Sequence, residues 1–228
     1  MDFVGFDKLS LLDYEEKTAC VLFSKHCNFR CPFCHNGLTV LESEETTKWE
    51  EIKSYLIKRK GLIDAVVVSG GEPTLLDDLY EKIKEIKELG YLVKLDTNGT
   101  NPEMLKKLVN DGLVDYVAMD IKNSKTKYRE TVGTTKIDFE KIEESIKFLR
   151  KTPVNYEFRT TLVSEFHDEQ SIKELGELIK GSKKLFLQKF VEREGCIKKG
   201  LHEVSEDLAN HYLEILSTYI EEVKLRGY

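Results

Sequence analysis

Cys27, Cys31 and Cys34 fall in the run Cys27-Asn-Phe-Arg-Cys31-Pro-Phe-Cys34-His, three residues and then two apart. They follow directly on an apolar run, Cys20-Val-Leu-Phe. Thiolates at such spacing are metal ligands. A cubane iron–sulfur cluster has four irons and is usually held by four thiolates. Three close cysteines would leave one iron without a protein ligand, and an open metal position is where chemistry happens. Zinc is the rival, with His35 as fourth ligand. Structural zinc, however, usually takes two separated ligand pairs, and no second pair exists here. His35 is also next to Cys34, which makes joint ligation awkward. Of the other cysteines, Cys20 alternates with apolar neighbours and reads as a small core residue. Cys196 is isolated far along the chain, and its role stays open. His26 and His167 read as ordinary loop histidines.

The elements that would position these thiols alternate along the chain. Short apolar runs predict strands at Ala19–Phe23, Ala65–Ser69, Leu92–Asp96, Tyr116–Asp120, Tyr156–Leu162 and Leu185–Lys189. Charged runs of helical period predict helices at Thr47–Lys60, Asp77–Leu89, Pro102–Asp111, Phe139–Lys151 and Asp168–Lys180, with a last helix over Glu206–Arg226. Val66-Val67-Val68 is continuously apolar, as a parallel strand buried on both faces would be. Asp168 fits an N-cap, Pro102 a first helical turn and Gly90 a helix C-cap. Repeated βα units imply an α/β domain with a parallel sheet. Six units are too few for an eight-stranded barrel, so an open partial (β/α)6 barrel with a C-terminal helix is expected, with an open doubly wound sheet as the competing form. No linker or low-complexity segment divides the chain. Residues 1–228 are therefore expected to form one domain, with its core at about 15–190 and a helical extension at about 200–228.

Functional sites in parallel α/β folds gather at the C-terminal ends of strands. Every predicted strand here ends in polar residues. The first leads to the three cysteines and the second to Ser69-Gly70-Gly71-Glu72-Pro73. The third ends in Asp96-Thr97-Asn98-Gly99 and the fourth in Met119-Asp120-Ile121-Lys122. The fifth carries Arg159-Thr160-Thr161, and the sixth Gln188-Lys189. Singly, each has a plain reading: a tight turn, a helix cap or a surface charge. In register, the six point to one shared mouth. Gly70-Gly71 would let backbone approach a ligand closely, and Glu72 could accept hydrogen bonds from an ammonium group.

At these residues the chain resembles the radical S-adenosylmethionine (SAM) enzymes. The likeness lies in the C-x3-C-x2-C set with Phe33 before the third cysteine, and in Gly70-Gly71-Glu72 after the second strand. It extends from about Val4 to Gln188. Within that superfamily the chain looks like activating enzymes of glycyl radical enzymes, above all those of anaerobic ribonucleoside-triphosphate reductase. The segments that carry this are Leu11-Leu12-Asp13-Tyr14, Ala19-Cys20-Val21-Leu22-Phe23, Cys31-Pro32-Phe33-Cys34-His35-Asn36, Leu95-Asp96-Thr97-Asn98-Gly99 and Met119-Asp120-Ile121-Lys122. Activating enzymes of pyruvate formate-lyase share the Asp-Thr-Asn-Gly and Asp-x-Lys elements.

The resemblance implies a radical SAM oxidoreductase. Cys27, Cys31 and Cys34 would hold a 4Fe-4S cluster whose open iron is chelated by the amine and carboxylate of SAM. Gly70 and Gly71 would meet the amine, with Glu72 nearby, and Phe33 would touch the adenine. Asn98, Asp120, Lys122 and Arg159 would line the ribose and carboxylate side. Asp96, Thr97 and Asp120 would hold a monovalent cation, as in some activases. Gln188 stands where some formate-lyase activases use a histidine. A low-potential donor such as flavodoxin or ferredoxin would reduce the cluster, and the resulting 5′-deoxyadenosyl radical would take hydrogen from a glycine of the partner enzyme. A different radical reaction, on another glycyl radical enzyme or a small molecule, is the alternative. A metal-binding protein with no enzymatic role is the third reading.

The rest of the sequence narrows the classes. Its 228 residues carry a net charge of −6, which argues against a nucleic-acid surface. No apolar run approaches a membrane span and the N-terminus has no signal-peptide core, so a cytoplasmic protein is expected. Five cysteines do not suggest a disulfide framework.

Overall fold

Eight strands form one sheet in chain order: β1 (Phe3–Ser10), β2 (Ala19–Ser24), β3 (Ala65–Gly70), β4 (Leu92–Thr97), β5 (Tyr116–Asp120), β6 (Asn155–Leu162), β7 (Lys184–Lys189) and β8 (Glu222–Arg226). The computed structural model describes residues 3–37 and 46–228. β1 runs antiparallel to β2, and all later neighbours are parallel. No β1–β8 pairing closes the sheet among the described residues. Among the described residues the helices are α1 (Trp49–Arg59), α2 (Leu79–Glu88), α3 (Pro102–Asn110), the single turn α4 (Tyr128–Thr131), α5 (Phe139–Leu149), α6 (Glu169–Leu178) and α7 (Glu206–Leu216). A 3-10 turn follows β3 at Pro73–Leu75.

Side chains of a strand point alternately to opposite faces, and both faces of β2 and β3 are dry. Cys20, Leu22, Val66 and Val68 join the large core under the helices, while Ala19, Val21, Ala65 and Val67 form a smaller inner cluster with Tyr14. The sheet is curled around that inner cluster. Glu15, in the loop before β2, ion-pairs at 3.0 Å with Lys184 at the start of β7. On a flat sheet the five strand spacings from β2 to β7 would span about 24 Å. The open partial barrel expected from the sequence is the form observed.

The six predicted strands and five predicted internal helices are present, each end within two residues of its expected place. Asp168 caps α6, accepting from the Ser171 amide at 2.8 Å, and Pro102 opens α3 behind Asn101. The C-terminal expectation is corrected. The helix ends at Leu216, and Glu222–Arg226 forms β8 beside β7. Glu222 reaches Lys184 on β7 at 3.8 Å, and Lys224 pairs with Glu222 along β8 itself. Arg226 stacks over Phe186 at 3.7 Å and reaches Glu157 at 3.4 Å. β1 was also not foreseen. It is an edge strand with irregular register and the loose burial pattern that goes with it.

Candidate active site

The C-terminal ends of the parallel strands surround a cavity of about 350 Å3. Cys27, Cys31, Cys34, Phe33, Gly70, Gly71, Asp96, Thr97, Asn98, Asp120, Lys122, Arg159 and Gln188 all line it. The sheet thus brings together all but one of the residues to which the resemblance assigns a cluster, SAM or cation contact. The exception is Glu72, which is fully buried behind the wall.

The three thiols sit on a loop after β2 that has neither strand nor helix through Asn36. Backbone bonds to distant segments shape it. Arg30 N donates to Val132 O at 2.8 Å, Glu72 N to His26 O at 2.8 Å and Lys198 N to Pro32 O at 2.8 Å. Cys196 lies buried beneath, its thiol 3.9 Å from Phe33 O, so it packs the loop from below. Phe33 lines the cavity while its ring contacts Phe166 and Phe190.

Gly70 has a φ of +105°, and a side chain there would strike the backbone of Phe23 and Ser24. Only glycine lets β3 pass so close to the start of the cysteine loop. Gly71 N then donates to Ser24 O at 2.9 Å. The Glu72 carboxylate was expected to meet a ligand's ammonium group. It instead accepts from Thr74 N at 3.2 Å, the Thr74 hydroxyl, the Thr97 hydroxyl at 2.7 Å and Asn98 N at 2.6 Å. Burial pushes its pKa up against these four bonds. Glu72 therefore ties the turn after β3 to the end of β4, and acts on the cavity through Asn98. Asn98 in turn donates to Asn28 Oδ1 at 2.8 Å, within the cysteine loop.

The opposite wall is ionic. Arg159 on β6 donates from Nε to Asp120 Oδ1 at 2.8 Å and from Nη1 to Asp96 Oδ2 at 3.1 Å. Lys122 Nζ meets Asp120 Oδ2 at 2.9 Å, and Ser69 Oγ donates to Asp96 Oδ2 at 2.9 Å. Burial opposes ionisation of Asp120, but Arg159 and Lys122 outweigh it and hold the carboxyl down to about 2. His167, read from sequence as a loop histidine, is buried, with Nε2 3.0 Å from Lys122 O. It supports the Asp-x-Lys segment from behind. Ser69 was among the strand-end residues, but Lys94 was not expected in the site. Lys94 lies two residues before Asp96 on the same strand face, 3.7 Å from it. Charges at alternate positions of an otherwise apolar strand were the available signal.

Comparison with known proteins decides the family. The pattern of the Radical SAM superfamily matches residues 21–179, well over half of the chain. The chain belongs to the radical SAM superfamily. It is also 36% identical over 228 residues to a protein of Methanocaldococcus jannaschii named as a candidate glycyl-radical enzyme activating enzyme, covering 97% of this chain and 94% of that one. A candidate GTP 3′,8-cyclase of Thermococcus kodakarensis is 32% identical over 140 residues, which are 59% of this chain and 45% of that one. Among solved structures, Streptococcus suis SuiB bound to S-adenosylmethionine superposes with a TM-score of 0.69 at 17% identity, covering 91% of this chain and 50% of that one. That likeness is one of fold.

Radical SAM membership implies a 4Fe-4S cluster and SAM, and the cysteine loop fits an anionic cluster. Its donor set is three free thiols facing one cavity. Phe29 N lies 3.4 Å from Cys27 Sγ, the Asn36 backbone donates to Cys34, and the Lys122 charge acts on Cys31 and Cys34. Burial pushes the Cys27 thiol up to about 11 and Cys31 up to about 12. Metal binding must therefore displace protons from the thiols. Zinc is a poorer match. Among the described residues no three His, Cys, Asp or Glu side chains converge as a single ion would require, and the His35 ring stacks on Phe190. Cys20 is a core residue, as expected, and burial raises its thiol to about 12. No helix among the described residues is long and apolar enough to cross a membrane.

Proposed function

We propose that this chain activates a glycyl radical enzyme, and that its partner is an anaerobic ribonucleoside-triphosphate reductase. The observation that carries the activase reading is the likeness to a candidate activating enzyme across nearly the whole of both chains. The candidate GTP cyclase instead matches over less than half of its own length. That partial likeness favours a second reading, a radical reaction on a free small molecule. The choice of reductase as partner rests on the motif resemblance around Cys31–Asn36 and Leu95–Gly99.

When bound, the cluster and SAM supply one-electron cleavage of a carbon–sulfur bond and removal of a hydrogen atom from a carbon. The chain's own residues place and shield that chemistry. Cys27, Cys31 and Cys34 would hold the cluster on the loop side. The backbone at Gly70 and Gly71 would face the amine, with Glu72 holding the neighbouring Asn98 in place. Phe33, buried in the cavity wall, would touch the adenine. Asn98 and Gln188 would bound the ribose. The ammonium of Lys122 and the guanidinium of Arg159 would meet the carboxylate. The partner's glycine loop would enter from the strand-end side, and a low-potential donor such as flavodoxin or ferredoxin would deliver the electron.

The test is electron paramagnetic resonance on cluster-loaded, reduced protein mixed with SAM and an anaerobic ribonucleotide reductase. A glycyl radical doublet on the reductase is the expected result. A doublet on a formate-lyase-type partner alone would replace the partner. Turnover of GTP without any protein radical would favour the second reading.

A further inference from the structure

We infer that the Arg159 guanidinium occupies the place a monovalent cation would take between Asp96 and Asp120, so that SAM binding here needs no sodium or potassium. This rests on SAM being the ligand of the cavity. Cation binding by Asp96, Thr97 and Asp120 was the expectation from the motif, and the geometry does not fit it.

A hard cation is held by several oxygens that turn toward it. Here those oxygens already have partners. Both Asp120 oxygens are taken, one by Arg159 at 2.8 Å and the other by Lys122 at 2.9 Å. Asp96 Oδ2 is shared by Arg159 at 3.1 Å and Ser69 at 2.9 Å. The Thr97 hydroxyl donates to Glu72 at 2.7 Å. Only Asp96 Oδ1 lacks a hydrogen-bond partner, and the Lys94 ammonium stands 3.7 Å from it.

The charge count points the same way. Lys94, Lys122 and Arg159 stand within 3.7 Å of Asp96 and Asp120, so both carboxylates already have cationic partners. A further cation would have to join three that already share these two carboxylates. The position of Arg159 is set by the sheet. Asp120 and Arg159 are register partners across β5 and β6, and the planar fork spans from there to β4.

The test titrates cluster-loaded protein with SAM in potassium, sodium and tetramethylammonium chloride, each at about 0.1 M so that screening is matched. The three dissociation constants should agree within about twofold. Affinity that rises about tenfold or more in potassium or sodium would overturn the inference. Arg159→Ala should lose about tenfold or more in tetramethylammonium, as expected when a charged hydrogen-bonding group is removed. Potassium or guanidinium chloride should restore much of that loss. A folded Arg159→Ala protein that neither salt restores would contradict a stand-in role. If Arg159→Ala does not fold, Arg159→Lys serves, and its binding should stay independent of potassium. A requirement for potassium there would contradict the inference. Wild-type protein with a full cluster and no SAM binding in any salt would instead overturn the SAM reading beneath it.

Discussion

The thiol side of the cavity is a loop without strand or helix, whereas the charged side stands on the ends of β4, β5 and β6. Strand register fixes the second: Asp120 faces Arg159 because their backbones are paired. The first is held from outside, by Val132, Glu72 and Lys198, which lie far apart in sequence. A charged network on a sheet can keep its geometry when the ligand leaves. The cysteine loop instead depends for its shape on bonds made at its edges.

The largest expected effect is on the loop side. Cys27→Ala, Cys31→Ala and Cys34→Ala together should abolish the brown colour and all SAM cleavage, read by visible absorbance and product chromatography. The fold should persist, because the loop's tethers are backbone bonds. Next is Glu72→Ala, which strikes the link between the two sides. It leaves the donors of Thr74, Thr97 and Asn98 buried without an acceptor, and should cost about 2–4 kcal/mol of stability by denaturant titration. Gly133→Ala tests a tether alone. Gly133 has a φ of +66° and an added methyl would strike the Arg30 carbonyl, so a loss of about 1–3 kcal/mol and slower cluster assembly are expected. Equal cluster uptake by this variant would show that the loop holds itself.

Smaller effects follow from protons, and both sides gain as pH rises, in different pH windows. Because burial pushes the Cys27 and Cys31 thiols well above their usual range, cluster uptake should strengthen steadily as pH rises from 7 to 9, read by iron binding at fixed iron and sulfide. Asp120 follows the same sign in the acid range. Its carboxyl is lowered from 3.8 to about 2, so its contribution to stability is full above 3.8 and lost as pH falls through about 2. Asp120→Asn should flatten that part of the acid unfolding curve while also weakening SAM binding. Unchanged affinity would remove Asp120 from the ligand's reach.

The same contrast explains what could be read in the sequence. Strand ends of a parallel sheet must meet at one mouth, so the amino-acid order alone was enough to gather Asp96, Asn98, Asp120, Arg159 and Gln188 there. The thiols were legible from spacing alone. Glu72 was misplaced because a motif gives a residue's position, not the direction of its carboxylate, and the donors that claim it come from another strand. His167 and Cys196 were passed over for a similar reason. Each supports the site through a backbone contact formed only after folding, to Lys122 and Phe33. β8 was expected to be helix because what holds it as a strand, pairing with β7 and the reach of Arg226 to Phe186 and Glu157, comes from segments distant in sequence.

The most direct test of the account is 5′-deoxyadenosine formation by cluster-loaded protein reduced with dithionite in the presence of SAM, with and without a glycyl radical partner. The account predicts product that requires all three of Cys27, Cys31 and Cys34. A full cluster and bound SAM that yield no product under either condition would contradict it.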